Sequence, residues 1–495
     1  MDNNKYIISI DQSTQGTKAL LFDSQGHLIH RTDKAHRQIV DENGWISHSP
    51  EEIYENTIQA IRDVLKESGV NSQCVVGLGI SNQRETSLVW DRKTGMALSD
   101  AIVWQCARAT EICERKEILE KADEIRKRTG LRLSPYFPAA KIAWLLENVK
   151  ATKQLTKEGS ICHGTIDTYL VFKLTGGKVY ATDYSNASRT QLYNIYEKKW
   201  DEEICALFGI NHLNMAKVMN SNACFGYTQC EGIFEKPIPI HAVMGDSHAA
   251  LFGQNCRTKG MIKATYGTGS SIMLNIGEEP IYSKNGLVTS LAWGIDGKVN
   301  YVLEGNLNYT GAVISWLKND INLIKHANET EELAISALKD DSVYLVPAFS
   351  GLGAPYWENH VNAAIIGMDR RTRKAEIVRA ALECIAYQVT DIINAMEEDS
   401  KQKIDVLRVD GGPTKNGYLM QFQSDIAGCK VEISENEELS GIGAAVMAGL
   451  ALSVWDEKVF ENISRKCYNP CMSKEYAETK YNGWKKAISA VIANK

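Results

Sequence analysis

The stretch Tyr6-Ile-Ile-Ser-Ile-Asp11-Gln-Ser-Thr-Gln-Gly16-Thr-Lys18-Ala-Leu-Leu-Phe-Asp23 consists of two apolar runs of strand length around a polar, glycine-bearing turn. Its pattern predicts a β-hairpin with an acid where strand meets turn. Such a turn suits phosphate. Backbone N–H groups loosened by Gly16, the hydroxyls of Ser13, Thr14 and Thr17, and the charge of Lys18 all match phosphate oxygens, while Asp11 faces them as a seat for hydrated magnesium. The motif is neither a Walker A loop nor a G-x-G-x-x-G fingerprint, and an ordinary hairpin with a polar turn accounts for it equally well when it is taken alone.

The rest of the chain adds weight to it. Met261-Ile-Lys-Ala-Thr265-Tyr-Gly267-Thr268-Gly269-Ser270-Ser271-Ile-Met-Leu-Asn275 repeats the order of apolar strand, Gly/Thr turn and apolar strand, which predicts a duplicated fold whose halves face each other across one nucleotide. A length of 495 residues exceeds what one hydrophobic core serves and predicts two large domains with a cleft between them. With 23% charged residues and a net charge of -6, the chain carries no broad basic field for nucleic acid. The N-terminus lacks the cationic and apolar regions of an export signal, and no apolar run reaches membrane-spanning length, so a cytoplasmic protein is expected. Twelve cysteines occur without a C-x-x-C pair, which predicts reduced structural thiols; Cys106 and Cys113 are expected on one buried face of a helix.

Between the two hairpins lie several candidate sites. Pro50 opens a helix expected to reach about Lys66, and the apolar run Cys74–Ile80 then delivers Ser81-Asn-Gln-Arg84-Glu85-Thr86 into a loop. Adjacent Arg and Glu at a strand end form either a surface pair or a substrate clamp. Trp104, after Ala101-Ile-Val, is either core or a pocket wall. Asp183–Thr190 is predicted to be a polar loop, more elaborate than a plain connection. Ile240-His-Ala-Val-Met-Gly245-Asp246-Ser247-His248 puts a carboxylate at a helix N-terminus, as a helix cap or as a group that acts on a ligand. Val406–Asp410 leads through Gly411 and Gly412 into a helix over Gly417–Ala427, where glycines permit close approach of a ligand. A small-residue helix is expected over Ser440–Gly449.

The order of these motifs resembles the FGGY family of carbohydrate kinases over nearly the whole chain, from about Tyr6 to Trp484, and within it the glycerol-phosphorylating members. Tyr136-Phe-Pro-Ala-Ala-Lys141-Ile-Ala-Trp144 fits one family signature, and Ala364-Ile-Ile-Gly367-Met with Glu376-Ile-Val-Arg-Ala-Ala-Leu-Glu383 fits the other. Ser81–Thr86, Val89–Gly95, Ala101–Gln105, Asn186–Thr190, Val346–Trp357 and Leu419–Asp425 add further matches. The resemblance implies an α/β chain of two ribonuclease H-like domains, of the actin/hexokinase ATPase type, placed at residues 1–253 and 254–495, with ATP and a small polyol meeting in the interdomain cleft. By position it makes Asp246 the catalytic base. Arg84, Glu85, Tyr136 and Asp246 would hold the polyol, and Trp104 would be an apolar wall. Thr14, Gln15, Gly16, Lys18, Thr268, Gly311, Ser315, Gly412 and Asn416 fall on the family's ADP contacts, Asp11 and Asp246 on the Mg2+ side. A homo-oligomer, dimer or tetramer, is also implied.

The chain departs from that pattern in places. Ser247 stands where glycerol-phosphorylating members carry Gln, Ser271 where they carry an aromatic, and Lys18 where they carry Arg, which keeps the charge and loses the planar fork. Ser247 and Ser271 shrink the side chains and add hydroxyls, so a four- or five-carbon polyol or ketose is a second expectation beside glycerol. A nucleotide-driven binding protein of the same ATPase superfamily is a third; it has no need of the Arg84, Glu85, Trp104, Tyr136 and Asp246 set.

Overall fold

The computed structural model describes residues 5–211, 214–340 and 342–494. The opening stretch forms the predicted hairpin: Tyr6–Gln12 pairs antiparallel with Gly16–Phe22, with Asp11 opposite Lys18. From Ile7 onward its apolar residues are buried on both faces, which explains a run of hydrophobics where a half-exposed strand would alternate. A Cβ at Gly16 would lie 2.5 Å from the Lys34 carbonyl oxygen, so the turn closes against the neighbouring strand only with glycine there.

The six-stranded sheet of the first half runs in the order Cys224–Thr228, Ile238–Gly245, Val75–Asn82, Tyr6–Gln12, Gly16–Phe22, Leu28–Ala35. Three strands thus form an antiparallel meander, and Val75–Asn82 and Ile238–Gly245 extend it in parallel from the Tyr6–Gln12 side. The second half repeats the plan. Its meander is Ile262–Tyr266, Ser270–Gly277 and Lys298–Leu307, and its parallel extensions are Val406–Asp410 and Lys430–Ser434. Outer strands Val288–Ile295 and Arg465–Tyr468 complete seven. The duplication expected from the two hairpins is therefore present over six strands of each sheet, with Val288–Ile295 added at one edge of the second.

Register decides where chemistry can occur. In the first sheet Asp11 is opposite Ser81, and Gly245 is opposite Asn82, so three carboxyl-terminal strand ends meet at one edge and deliver Asp11, the Asn82–Thr86 segment and Asp246 together. Parallel strands of an open sheet bind ligands at that edge.

Other expectations are met or revised. The helix from Pro50 runs to Ser68, with Ser49 as its cap, and Gly417–Ala427 is helical at the predicted bounds. Asp183–Thr190 is not a plain loop: Asp183 ends a strand, and its carboxylate accepts the N–H groups of Ser185 and Asn186 to cap the short helix Tyr184–Ala187. Cys106 and Cys113 do not share a helix face, because the helix starts only at Thr110 and the two thiols pack in separate clusters. No helix among the described residues is long and apolar enough to cross a membrane.

The small-residue helix, Leu439–Ala451, ties the halves together. It lies on the first sheet, where a Cβ at Gly79 would meet the Ala444 carbonyl oxygen at 2.6 Å, and it packs against the helix Asp246–Gly253. A Cβ at Gly443 would sit 1.8 Å from the Ala249 carbonyl oxygen. Backbone-to-backbone approach of this kind leaves no room for a methyl group, and the helix carrying Asp246 would have to move. Gly443→Ala is expected to destabilise the protein by about 1–3 kcal/mol, the usual cost of overpacking, read as a lower urea midpoint. An unchanged midpoint would show that the two helices are not held at this distance.

Candidate active site

The loop after Val75–Asn82 turns sharply. Thr86 N–H donates to the Arg84 carbonyl at 2.8 Å, and Glu85 between them has φ 61°. A positive φ at glutamate is a strained backbone state, held here because the Arg84 and Glu85 side chains are both locked in ion pairs and the Thr86 hydroxyl is bonded to Gln83. The side-by-side acid and base do not pair with each other. Arg84 grips Glu304 with both terminal nitrogens, at 3.2 and 3.0 Å, while its Nε lies 3.2 Å from Asp246 Oδ1. Glu85 accepts from Arg189 Nε at 2.6 Å, and Arg189 Nη1 reaches Glu304 at 2.8 Å.

The cluster is therefore a chain, Glu85, Arg189, Glu304, Arg84 and Asp246, that crosses between the halves. Glu304 is fully buried, and burial alone would raise its pKa, yet the guanidinium groups of Arg189 and Arg84 outweigh that cost and hold the carboxyl well below the usual range. Arg84 experiences the converse: burial pulls it down, and Glu304, Glu85 and Asp246 hold it well above its ordinary value. Asp246 differs from the rest because its side chain keeps 34% of its surface open. It is the one member of the chain both anchored and accessible. Gly245, not Asp246, is the helix cap, and Asp246 Oδ1 takes the Ser247 N–H at 2.5 Å.

Asp11 lies beside this chain. Its Oδ1 accepts from Ser81 at 2.9 Å, and burial raises its pKa to about 6, against the lowering effect of Lys18. The negative charge of Asp246 contributes to the rise, which places the two carboxylates within electrostatic reach of each other. No group of three or more His, Cys, Asp or Glu that could hold a metal ion occurs among the described residues.

Two aromatic rings stand on the opposite side. Trp104 and Tyr136 meet edge to face with centroids 5.5 Å apart. The buried Lys141 ammonium donates to the carbonyls of both residues, and burial lowers its pKa to about 7. Pro138, preset for a first helical position, starts the helix that carries Lys141. Trp104 Nε1 donates to Thr14 Oγ1 at 3.0 Å, so the aromatic wall is fastened to the first hairpin turn. Trp104 is half-buried and tied to the first hairpin turn, and Arg84 and Glu85 are both buried and hold different partners, so they are not a surface pair.

The expected nucleotide residues fall in two groups. Thr14, Gln15 and Gly16 form the first turn, but Lys18 Nζ is engaged by Glu438 at 2.7 Å, with Arg31 on the same carboxylate. Thr268 lies in the second turn, where its carbonyl accepts the N–H groups of Thr310 and Ala312; Gly311 donates to the Gly267 carbonyl and leaves 2.6 Å for a Cβ. Ser315 lies one turn further along the helix Gly311–Asn319. Gly412 has open space around it, while Asn416 Oδ1 caps the helix Gly417–Ala427 and its amide donates to Thr330. The two serines divide: the Ser271 hydroxyl donates to Glu304 at 3.2 Å, and neither serine lines the cavity of about 710 Å³ that opens beyond Tyr136, Arg189 and Glu304.

Glu304, Arg189 and Lys141 were not assigned roles from sequence. Signals existed: Glu304 is an acid directly after the apolar run Tyr301-Val-Leu, and a buried carboxylate requires a partner. Arg189 lies in the segment that looked too elaborate for a connection.

Two sheets of like order, each with a glycine turn at the edge where its parallel strands end, and an accessible carboxylate fixed by arginine form the site of a duplicated α/β fold, and the relatives of this chain make it a phosphotransferase with an alcohol group as acceptor. Residues 6–253 match the N-terminal domain and residues 262–452 the C-terminal domain of the FGGY family of carbohydrate kinases, and the chain belongs to that family. It is 46% identical over 490 residues to glycerol kinase 1 of Thermotoga maritima, covering 98% of this chain and 99% of that one, and 44% identical over 488 residues to glycerol kinase 2 of the same organism, covering 98% of each. Among solved structures, Plasmodium falciparum glycerol kinase with ADP superposes with a TM-score of 0.93 at 36% identity over 98% of both chains.

The ion-pair chain makes a direct prediction. Arg189→Met leaves Glu85 and Glu304 buried with fewer partners and is expected to cost about 3–5 kcal/mol, seen as a large fall in the urea midpoint. A shift equivalent to less than about 1 kcal/mol, the scale of an exposed pair, would mean that solvent reaches the cluster.

Proposed function

We propose that this chain is an ATP-dependent glycerol kinase that transfers the γ-phosphate of ATP to a terminal hydroxyl of glycerol. The single observation that carries the reading is Asp246: a carboxylate at a strand end, anchored by Arg84 Nε on one side, open to solvent on the other, and in the field of Asp11. The similarity to the glycerol kinases supports glycerol as the acceptor.

In this reading Asp246 accepts the proton of the attacking hydroxyl as the oxygen turns to the γ-phosphorus. Arg84 keeps that carboxylate aimed, because its other two nitrogens are fixed by Glu304. Arg84 and Glu85 give the polyol paired donor and acceptor positions, and Trp104 with Tyr136 covers its carbon chain. Thr14, Gln15, Gly16 and Lys18 meet the phosphates from the first turn; Thr268, Gly311, Ser315, Gly412 and Asn416 meet the nucleotide from the second half. Transfer of this kind depends on in-line positioning and charge neutralisation.

Magnesium fits the donors present. The ion is commonly held by one or two carboxylates together with substrate phosphates and water, and Asp11 and Asp246 supply two carboxylates on the phosphate side. When bound, Mg2+ would neutralise charge on the β- and γ-phosphates. The folded unit boundary near residue 253 and a cytoplasmic location belong to the same proposal.

Two outcomes test it. Asp246→Asn is expected to lower kcat by about 10²- to 10⁴-fold while calorimetric ADP binding persists, the scale of a positioned base. A variant keeping more than about a tenth of the rate would remove Asp246 from that role. The second follows from the raised pKa of Asp11. The ionised form needed for magnesium is lost as the pH falls through about 6, so the magnesium concentration for half-maximal rate rises below that value. Asp11→Asn is expected to need high magnesium on both sides of it; superimposable titrations of the two proteins would make Asp11 structural.

A further inference from the structure

The cavity of about 710 Å³ beyond the acceptor residues is walled by both halves of the chain. Its inner wall is Tyr136, Arg189 and Glu304, and its outer wall carries Arg126 and Arg132. A volume of this size exceeds the need of a three-carbon polyol and falls in the range of small-molecule sites.

The outer wall has an unbalanced charge. Arg84 and Arg189 each meet carboxylates, but the Arg132 guanidinium makes no hydrogen bond or ion pair among the described residues, its backbone carbonyl alone being engaged, by Gln191, and its buried Nε lacks any partner. Its guanidinium lies over the Trp357 ring, 4.5 Å from the centroid, and that ring is fixed by a bond from Nε1 to the Gly286 carbonyl. Arg126 adds a second cation on the same wall; it lies 4.7 Å over Tyr282 and spends one nitrogen on the Ser283 carbonyl. Burial and the charge of Arg126 both act against Arg132, pulling its pKa below the usual value. Carboxylates offer no relief. Glu304 is occupied by Arg84, Arg189 and Ser271, and Asp123 is exposed at the rim. A stacked, oriented guanidinium with free donors is the arrangement that binds a planar or phosphoryl anion in two-point fashion. Asn306 and Asn308 line the path between the two walls with amides suited to hydroxyls.

We infer that this cavity is an anion subsite joined to the acceptor site, taking the carboxylate or phosphate end of a polyhydroxylated small molecule whose hydroxyl end lies against Tyr136 and Glu304. The inference rests on the proposed function, which puts Tyr136 at the acceptor and Glu304 behind it as the anchor of Arg84. Occupancy brings Arg132 the counter-ion that the fold does not supply. A sugar acid of four to six carbons has the required form, as an acceptor or as a competitor of glycerol.

The test is equilibrium binding of sugar acids and of the neutral alditols of equal length to the full chain without nucleotide, by calorimetry. Sugar acids are expected to bind roughly ten- to a hundredfold tighter than the matching alditols, the scale of a charge-assisted contact, and to compete with glycerol. Arg132→Leu should abolish that preference, and Arg132→Lys should retain part of it, which separates charge recognition from damage to the fold. Equal affinities for acids and alditols in the parent, or a preference that survives Arg132→Leu, would overturn the inference. Inorganic phosphate that binds as tightly as the sugar acids and leaves glycerol binding untouched would also overturn it, because the anion site would then be separate from the acceptor site. Loss of the kinase reading is distinguished independently: it would appear as no ADP release with glycerol, whereas these measurements involve no turnover.

Discussion

The bidentate contact between Arg84 and Glu304 is the constraint on which the rest of the site depends. Arg84 comes from a loop of the first sheet and Glu304 from a strand of the second, and both side chains are almost free of solvent. Charges buried this deeply are tolerated only when paired, so the contact sets the distance and orientation between the two halves beside Asp246. Its remaining nitrogen, Nε, aims Asp246. Geometry at the Asp246 carboxylate, the proposed base, is thus set by a buried pair that does not itself need to touch the acceptor hydroxyl.

Around that contact the fold repeats one idea twice. Each half presents a glycine turn at the edge where its parallel strands end, and the small-residue helix Leu439–Ala451 presses the two together by direct backbone approach. Glu438, immediately before this helix, holds Lys18 and Arg31 of the first half. The Lys18 ammonium is therefore held by a carboxylate of the second half, and under the proposed function an incoming phosphate would compete with Glu438 for it. Charge in the cleft and the spacing of the halves are linked through that residue.

The parts of this architecture that local chemistry encodes were legible in the sequence. Both hairpins could be seen because apolar runs of strand length flank glycine and threonine, and the Pro50 and Gly417 helices because their caps are local. What stayed hidden is set by contacts across the chain. Glu304 lies 220 positions from Arg84, and no local pattern pairs them. The neighbouring Arg84 and Glu85 suggested either a surface pair or a substrate clamp, whereas the left-handed backbone at Glu85 turns the two side chains to different buried partners. Cys106 and Cys113 suggested a common helix because sequence spacing carries no information about where a helix begins. Ser271 was read for the space it vacates, yet its hydroxyl is committed to Glu304, and the open volume lies on the Tyr136 and Asn306 side.

The central claim is that the Glu304-anchored Arg84 holds Asp246 at the hydroxyl to be phosphorylated. A crystal structure of the protein with glycerol and a non-hydrolysable ATP analogue tests it most directly. The account predicts a terminal glycerol oxygen within hydrogen-bonding distance of the Asp246 carboxylate, in line with the γ-phosphorus, and the Arg84 to Glu304 contact intact. Glycerol bound away from Asp246, or Arg84 released from Glu304 in that complex, would contradict it.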